Sequence, residues 1–280
     1  MIIKTNDYTP IFITEPEKSN ITMFNDLVKL DRGNLICIAA RSGMGKTSLA
    51  IHMALEFAKR SNKTVCIFAL EFGIELMQKK LISLLAGVPL RVMRNKSFSE
   101  EQAQAIENAK EQLKKLNIII EGDCGLSVRQ IEEKLKQIDN LGMIIIDYIQ
   151  LMTSESRFDN RIQEISEISR KLKLLTKRKN IPVIVTSQLL RKIEWREDKR
   201  PRLDDIRDVG AIEQDSDTII LIHIENSNIH ELNEFPYQEP REAEIMIAKN
   251  RYGSTGNVLL DWRGWHMNFR ELDKEESCQT

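Results

Sequence analysis

Residues 40–47, Ala-Arg-Ser-Gly-Met-Gly-Lys-Thr, stand between an apolar run, Leu35 to Ala39, and a segment in which Leu49, Met53 and Phe57 recur every fourth position. A strand that breaks into a glycine-rich turn and continues as a helix leaves few folds open. Gly43 and Gly45 let backbone N–H groups turn inward, Lys46 adds a mobile positive charge, and Thr47 offers a hydroxyl to Mg²⁺. The helix N-terminus contributes its own positive partial charge. Ser42, Gly43, Met44, Gly45, Lys46, Thr47 and Ser48 therefore read as a cradle for the phosphates of a nucleoside triphosphate. The first position of the pattern G-x-x-x-x-G-K-T is Ala40 in this chain.

Downstream of the cradle, apolar runs alternate with amphipathic segments. Strands are predicted at Thr64 to Leu70, Asn117 to Ile120, Met143 to Ile146, Ile181 to Thr186, Thr218 to Ile224 and Ala243 to Ala248. Gly253 to Gly256 punctuates a hairpin into Val258 to Trp262. Helices are predicted at Glu75 to Leu85, from Ser99 through Leu116, at Ser127 to Ile138 and at Asn160 to Lys179, the last with Ile162, Ile165, Ile168, Leu172 and Leu175 on one side. This alternation predicts an α/β fold with a mainly parallel sheet flanked by helices and a C-terminal β-hairpin. Its ligand should sit beyond the carboxyl ends of the strands.

The polar residues at those ends are the candidates for chemistry. Asp147, directly after four apolar residues, is placed to hold Mg²⁺ or its water shell, together with Thr47. Glu71 can act as a general base toward the water attacking the γ-phosphate, or serve as a helix N-terminal acid facing the dipole. Gln188 can hydrogen-bond the γ-phosphate or the attacking water, or be an ordinary turn residue. Lys249 and Arg251, alternating with Asn250, project the same way from an extended arm and form either an anion clamp or a charged sheet edge.

A chain of 280 residues that is 41% hydrophobic and 30% charged can bury a sizeable core, and a single domain over residues 21–270 is expected, with a polar arm at 1–20 and a polar tail at 271–280. No apolar stretch reaches the ~20 residues of a membrane span, so no membrane association and a cytoplasmic location are expected. The net charge of −1 argues against a generally basic coat. From Arg170 to Arg207, however, 13 Lys and Arg face 5 acids, a local balance of +8. Such a run is a nucleic-acid contact or the solvated face of a helix and loop. Cys37, Cys66, Cys124 and Cys278 form no C-x-x-C pair, and the four histidines are too scattered for a metal site.

Eight segments in order extend this reading: residues 40–50 around the cradle; Phe68-Ala69-Leu70-Glu71; Ile145 to Met152; Gln163 to Arg170; Thr186-Ser187-Gln188-Leu189; Lys199 to Arg207; Ile212 to Asp217; and Ala248-Lys249-Asn250-Arg251. Together they resemble the successive motifs of the DnaB-type replicative helicase ATPase domain, from about Asn20 to Phe269. The resemblance implies a RecA-like P-loop NTPase core that forms a ring of six, binds ATP with Mg²⁺ between neighbours, and passes single-stranded DNA through its centre. By the same match Lys46 and Thr47 bind phosphate and Mg²⁺, Asp147 is the Mg²⁺ carboxylate, Glu71 the catalytic base and Gln188 the γ-phosphate sensor. Arg207, Asp208 and Gly210 fall on the DNA-contacting loop, and Lys249 and Arg251 on the finger that reaches a neighbour's ATP. A primase or a helicase loader is the implied protein partner.

Three departures accompany the match. Ser42-Gly43 replaces the family's usual Pro-Ser, residues 225–240 form an unassigned loop, and residues 1–20 do not read as the family's amino-terminal collar or locking helix. The expectation is a helicase motor domain acting in DNA replication. Its rivals are a RecA-like ATPase that loads or remodels a partner without unwinding, and a weakly hydrolysing single-strand-binding assembly subunit.

Overall fold

The computed structural model describes residues 32–206, 209–225 and 240–270, together with Val28, Leu30 and Leu272. Its sheet is built from β1 (Leu35–Ala40), β2 (Thr64–Ala69), β3 (Ile118–Glu121), β4 (Leu141–Asp147), β5 (Val183–Gln188), β6 (Thr218–Ile224), β7 (Arg241–Asn250), β8 (Gly256–Arg263) and β9 (Asn268–Arg270). Their spatial order is β3-β2-β4-β5-β1-β6-β7-β8-β9. The first six in that order run parallel, and β7, β8 and β9 continue the sheet antiparallel. The expected hairpin is thus part of a three-stranded antiparallel extension. The segments expected at residues 1–20, 225–240 and 271–280 lie almost wholly outside the described residues.

The helices are α1 (Lys46–Ser61), α2 (Ile74–Ala86), α3 (Leu90–Asn95), α4 (Glu100–Lys115), α5 (Val128–Leu135), α6 (Arg161–Lys179) and α7 (Val209–Asp215). Capping explains several of their limits. Ser99 and Gln102, and again Ser127 and Gln130, form capping boxes, and the Asn160 side chain accepts from the Gln163 amide at 2.9 Å. Gly87 ends α2 and Asn180 ends α6 in the left-handed conformation.

The period-two alternation of buried strands divides the core into two layers. Ile36, Ile38, Val65 and Ile67 face α1 and α2, where Met53, Phe57 and Met77 meet them. Leu35, Cys37, Cys66 and Phe68 face the other way, toward Ile131, Ile168, Leu172 and Leu175 of α5 and α6. Burial pushes the Cys37 and Cys66 thiols up to about 12, which leaves them inert packing residues. Among the described residues no helix is long and apolar enough to cross a membrane.

Candidate nucleotide site and its two edges

The carboxyl ends of β1, β2, β4 and β5 come together along one end of the sheet. Ala40 lies beside Gln188, and Ala69 beside Asp147. The amides of Leu70 and Glu71 both donate to the Asp147 carbonyl, at 2.9 and 3.2 Å, which pulls the end of β2 against the end of β4. The structure therefore assembles Lys46, Thr47, Glu71, Asp147 and Gln188 around one region, as their positions in the chain predict.

The cradle itself is a turn of mirror-handed backbone. Gly43 and Gly45 have φ of 79° and 80°, a region that side chains disfavour. A Cβ on Gly45 would also lie 2.8 Å from Cζ of Phe269 and 3.2 Å from Trp262, so the loop rests directly on that aromatic pair. The Met44 side chain is buried beneath the loop, and the Ser48 hydroxyl faces the Met267 sulfur at 3.7 Å. Both residues can thus offer a phosphate only their backbone amides. No side chain caps α1 and no acid occupies its first turn, so its leading N–H groups remain available to an anion.

Thr47 donates its hydroxyl to Oδ2 of Asp147 at 2.8 Å, and Thr186 donates to Oδ1 of the same carboxylate. Asp147 is almost completely buried. A hydroxyl beside a fixed carboxylate is a hard-oxygen pair of the kind Mg²⁺ takes, so these two residues fit the ion. Lys46 lies with Nζ 3.9 Å from Glu71 and 5.5 Å from the centre of the Tyr148 ring. The Glu71 side chain is one-third exposed at the rim. Burial raises its pKa above the ordinary carboxylate value and Asp147 adds to the rise, while Lys46 and Lys80 oppose it.

Lys80, Gln150 and Arg41 complete the site without having stood out in the sequence. Lys80, on α2, is buried with its ammonium 3.4 Å above the Phe72 ring. Burial brings its pKa down to about 8 against the pull of Asp147 and Glu71. Gln150 braces the end of β5: its amide donates to the Ser187 hydroxyl at 2.9 Å and its carbonyl accepts from the Gln188 amide at 3.4 Å. Arg41, in the cradle, pairs with Glu194 at 2.7 Å. Gln150, three positions past Asp147, and Arg41, inside the cradle run, lay in segments that suggested a role; Lys80 did not.

Lys249 and Arg251 stand elsewhere. Arg251 contacts Oδ1 of Asp217 at 3.2 Å and the Gln214 carbonyl at 3.2 Å, and Lys249 reaches the carbonyls of Glu213 and Gln214. Both side chains project the same way, as expected, and bind the C-terminal end of α7, where cations are favoured. Asp217 is fully buried, accepts from the Leu35 amide at 2.8 Å and pairs with Lys173. Since Leu35 begins β1 and Ala40 ends it, Asp217 and the cradle lie at opposite ends of the strands, separated by roughly 16 Å of strand. Of the residues expected to meet DNA, Gly210 is exposed near the start of α7, while Arg207 and Asp208 lie outside the described residues.

Comparison with known proteins agrees with this fold. The chain is 37% identical over 248 residues to the replicative DNA helicase DnaB of Leifsonia xyli, covering 87% of this chain and 53% of that one. It thus spans about half the length of such relatives. The structure of a DnaB-like replicative helicase studied for its interactions with primase superposes with a TM-score of 0.77 at 31% identity, covering 87% of this chain and 58% of that one. A second solved structure, of an ATPase domain by itself, also gives a TM-score of 0.77 at 31% identity, covering 87% of this chain and 86% of that domain. Residues 18–271 match the family model described as the DnaB-like helicase C terminal domain, so nearly all of this nine-stranded fold is accounted for and the chain belongs to that family.

Proposed function

We propose that this chain is the ATP-driven motor of a ring-forming replicative DNA helicase, which translocates on single-stranded DNA. The observation that carries the reading is the division of its charged groups between the two strand ends of one sheet. Lys46, Thr47, Glu71, Asp147 and Gln188 form a hydrolytic set at one end, and Lys249 and Arg251 stand at the other. Neither cation can span the roughly 16 Å of β1 to serve its own cradle, so a second subunit, set edge to edge, would supply them. A ring of six repeats that contact around a closed circle.

In the proposed cycle the cradle amides and Lys46 orient the triphosphate of ATP. Thr47 and Asp147 would hold Mg²⁺, which when bound neutralises charge on the phosphate oxygens. Glu71 accepts a proton from the attacking water, and Gln188, whose backbone is held by Gln150, contacts the γ-phosphate or that water. Arg251 of the adjoining subunit stabilises the charge that develops in the transition state. Arg207 and Asp208, which precede α7 in the sequence, and Gly210 would contact the strand's backbone, and a primase or helicase loader would be the protein partner. A domain spanning residues 21–270 and a cytoplasmic location go with this reading.

ATP turnover should rise when single-stranded DNA is added, and a forked duplex should be unwound only with hydrolysable ATP. Hydrolysis stimulated by DNA without unwinding would favour a loader or remodelling ATPase. Negligible turnover under both conditions would favour a passive assembly subunit.

A further inference from the structure

Trp195 is the most solvent-exposed large apolar side chain among the described residues, 86% exposed. It ends a 3₁₀ turn, Arg191–Trp195, that follows β5. The turn is firmly mounted. Ile193 is completely buried, Glu194 pairs with Arg41 of the cradle, and Arg196 pairs with Asp205 at 2.7 Å. The Leu190 amide donates to the Asp205 carbonyl at 2.8 Å. An indole held in water on a fixed support gives up the burial that ordinarily drives a tryptophan inward.

The charges around it are unevenly compensated. Glu194 is neutralised by Arg41, and Asp198 by Arg202 at 3.2 Å. Arg191, Lys192 and Lys199 are exposed and form no ion pair among the described residues; Glu197, also exposed, is the one acid of residues 191–199 without such a pair, so three unpaired cations stand against one unpaired acid. A flat π face flanked by uncompensated cations matches a nucleotide chain, whose bases stack while its phosphates pair with the cations. The buried centre of a protein interface, by contrast, is depleted of lysine. A duplex keeps its base faces inside its own stack, which leaves the single strand as the fitting form.

We infer that Trp195 is a stacking platform for a base of single-stranded nucleic acid, with Arg191, Lys192 and Lys199 taking the adjacent phosphates. The inference rests on the strand-translocating motor proposed above and adds to it a contact with bases. Its attachment through Glu194 and Arg41 places that contact one ion pair from the phosphate cradle.

The test titrates the whole chain and its Trp195→Ala, Trp195→Phe and Lys192→Ala variants with oligo(dT) of about 16 nucleotides and with an abasic strand of equal length, over a range of salt. Truncating so exposed a side chain removes little packing, so all four proteins should fold. Oligo(dT) should quench tryptophan emission in the parent, and the quenched component should be absent from Trp195→Phe. Trp195→Ala should lose roughly 5- to 100-fold in affinity for oligo(dT), with the salt dependence unchanged and no preference for oligo(dT) over the abasic strand. Trp195→Phe should retain most of the affinity, whereas Lys192→Ala should shallow the salt slope by about 0.7.

If the parent binds oligo(dT) but Trp195→Ala binds it equally well, with the same preference for bases, the stacking role is wrong and the motor reading stands. If Trp195→Ala changes the mass of the assembly and leaves DNA affinity alone, Trp195 packs between protein copies and the inference is overturned. A parent that binds neither strand would overturn the motor reading itself.

Discussion

Thr47 and Asp147, 100 positions apart in the chain, meet through a 2.8 Å hydrogen bond from hydroxyl to carboxylate. Because Thr186 holds the other carboxylate oxygen, the pair is oriented before any ligand arrives. Asp147→Asn preserves the shape of the site and removes its charge. ATP turnover should fall by ~10²-fold or more, and nucleotide affinity should lose most of its dependence on Mg²⁺. Titrating a fluorescent ATP analogue with and without Mg²⁺ checks the second point; a variant with undiminished Mg²⁺ dependence would remove Asp147 from the ion's site.

Glu71 acts as a base only when ionised, and burial raises its pKa above the ordinary value of 4.5. Turnover should therefore fall on the acid side with an apparent pKa above that value. Lys80→Met takes away one of the two cations that hold the carboxyl down, so it should move the acid limb to higher pH. Glu71→Gln should bind ATP normally and lose ~10²-fold or more in turnover. An acid limb that Lys80→Met leaves in place would show that the titrating group is not Glu71.

Lys80 should also mark the stability of the nucleotide-free protein. Its pKa is about 8 when folded, against 10.5 for a freely solvated lysine, so the unfolded chain holds the extra proton between those values. Stability must then rise with pH through that window, relative to a protein without the group. Urea denaturation at pH 7 and pH 10 should show this gain in the parent and its absence in Lys80→Met. Equal pH dependence in both proteins would contradict the assignment.

Arg251→Ala should retain ATP and lose turnover by ~10³-fold or more if it completes a neighbour's site. Lys46→Ala should be inactive for the opposite reason, an incomplete cradle. Mixed rings contain interfaces that pair an intact cradle with an intact finger, so mixing the two variants should restore part of the activity. Absence of recovery in rings shown by mass to be mixed would return Arg251 to the role it has within one chain, that of holding Asp217 and the end of α7.

Gly45→Ala should fail for a reason outside phosphate chemistry. The added methyl would sit 2.8 Å from Phe269 in a backbone region of positive φ, at a cost of roughly 1–3 kcal/mol. Thermal unfolding should report that loss, and ATP affinity should fall with it. Unchanged stability would mean that the aromatic pair yields.

The residues that reached the site by position were readable because strand ends announce themselves: an apolar run followed by Lys46-Thr47, Glu71, Asp147 or Gln188 needs only local pattern. Ser99 and Ser127 announced their helices through capping. Thr186 and Phe269 were not readable in this way, because each acts through a partner far away in the chain, and Lys80 was not because it sits in the middle of α2, away from any strand end. Helix α3 escaped notice because Gly87 and Pro89 end α2, and Pro89 then also precedes the next helix start. That Lys249 and Arg251 face α7 at the sheet's other end follows from the antiparallel return of β7 along β6, which pairs Lys249 with Ile219. Their local spacing allowed two roles equally.

The aromatic support under the cradle has a consequence for how the protein comes into being. Ser48 and Met267, 219 positions apart, are in contact, and the Trp262–Phe269 pair beneath Gly45 lies in β8 and β9. The cradle is synthesised early, but what it rests on emerges only with the last described strand. During translation the loop therefore passes most of its time without a floor, and a nascent chain should acquire ATP affinity late and abruptly, once Phe269 has left the ribosome. Nucleotide capture would then double as proof that the sheet is finished.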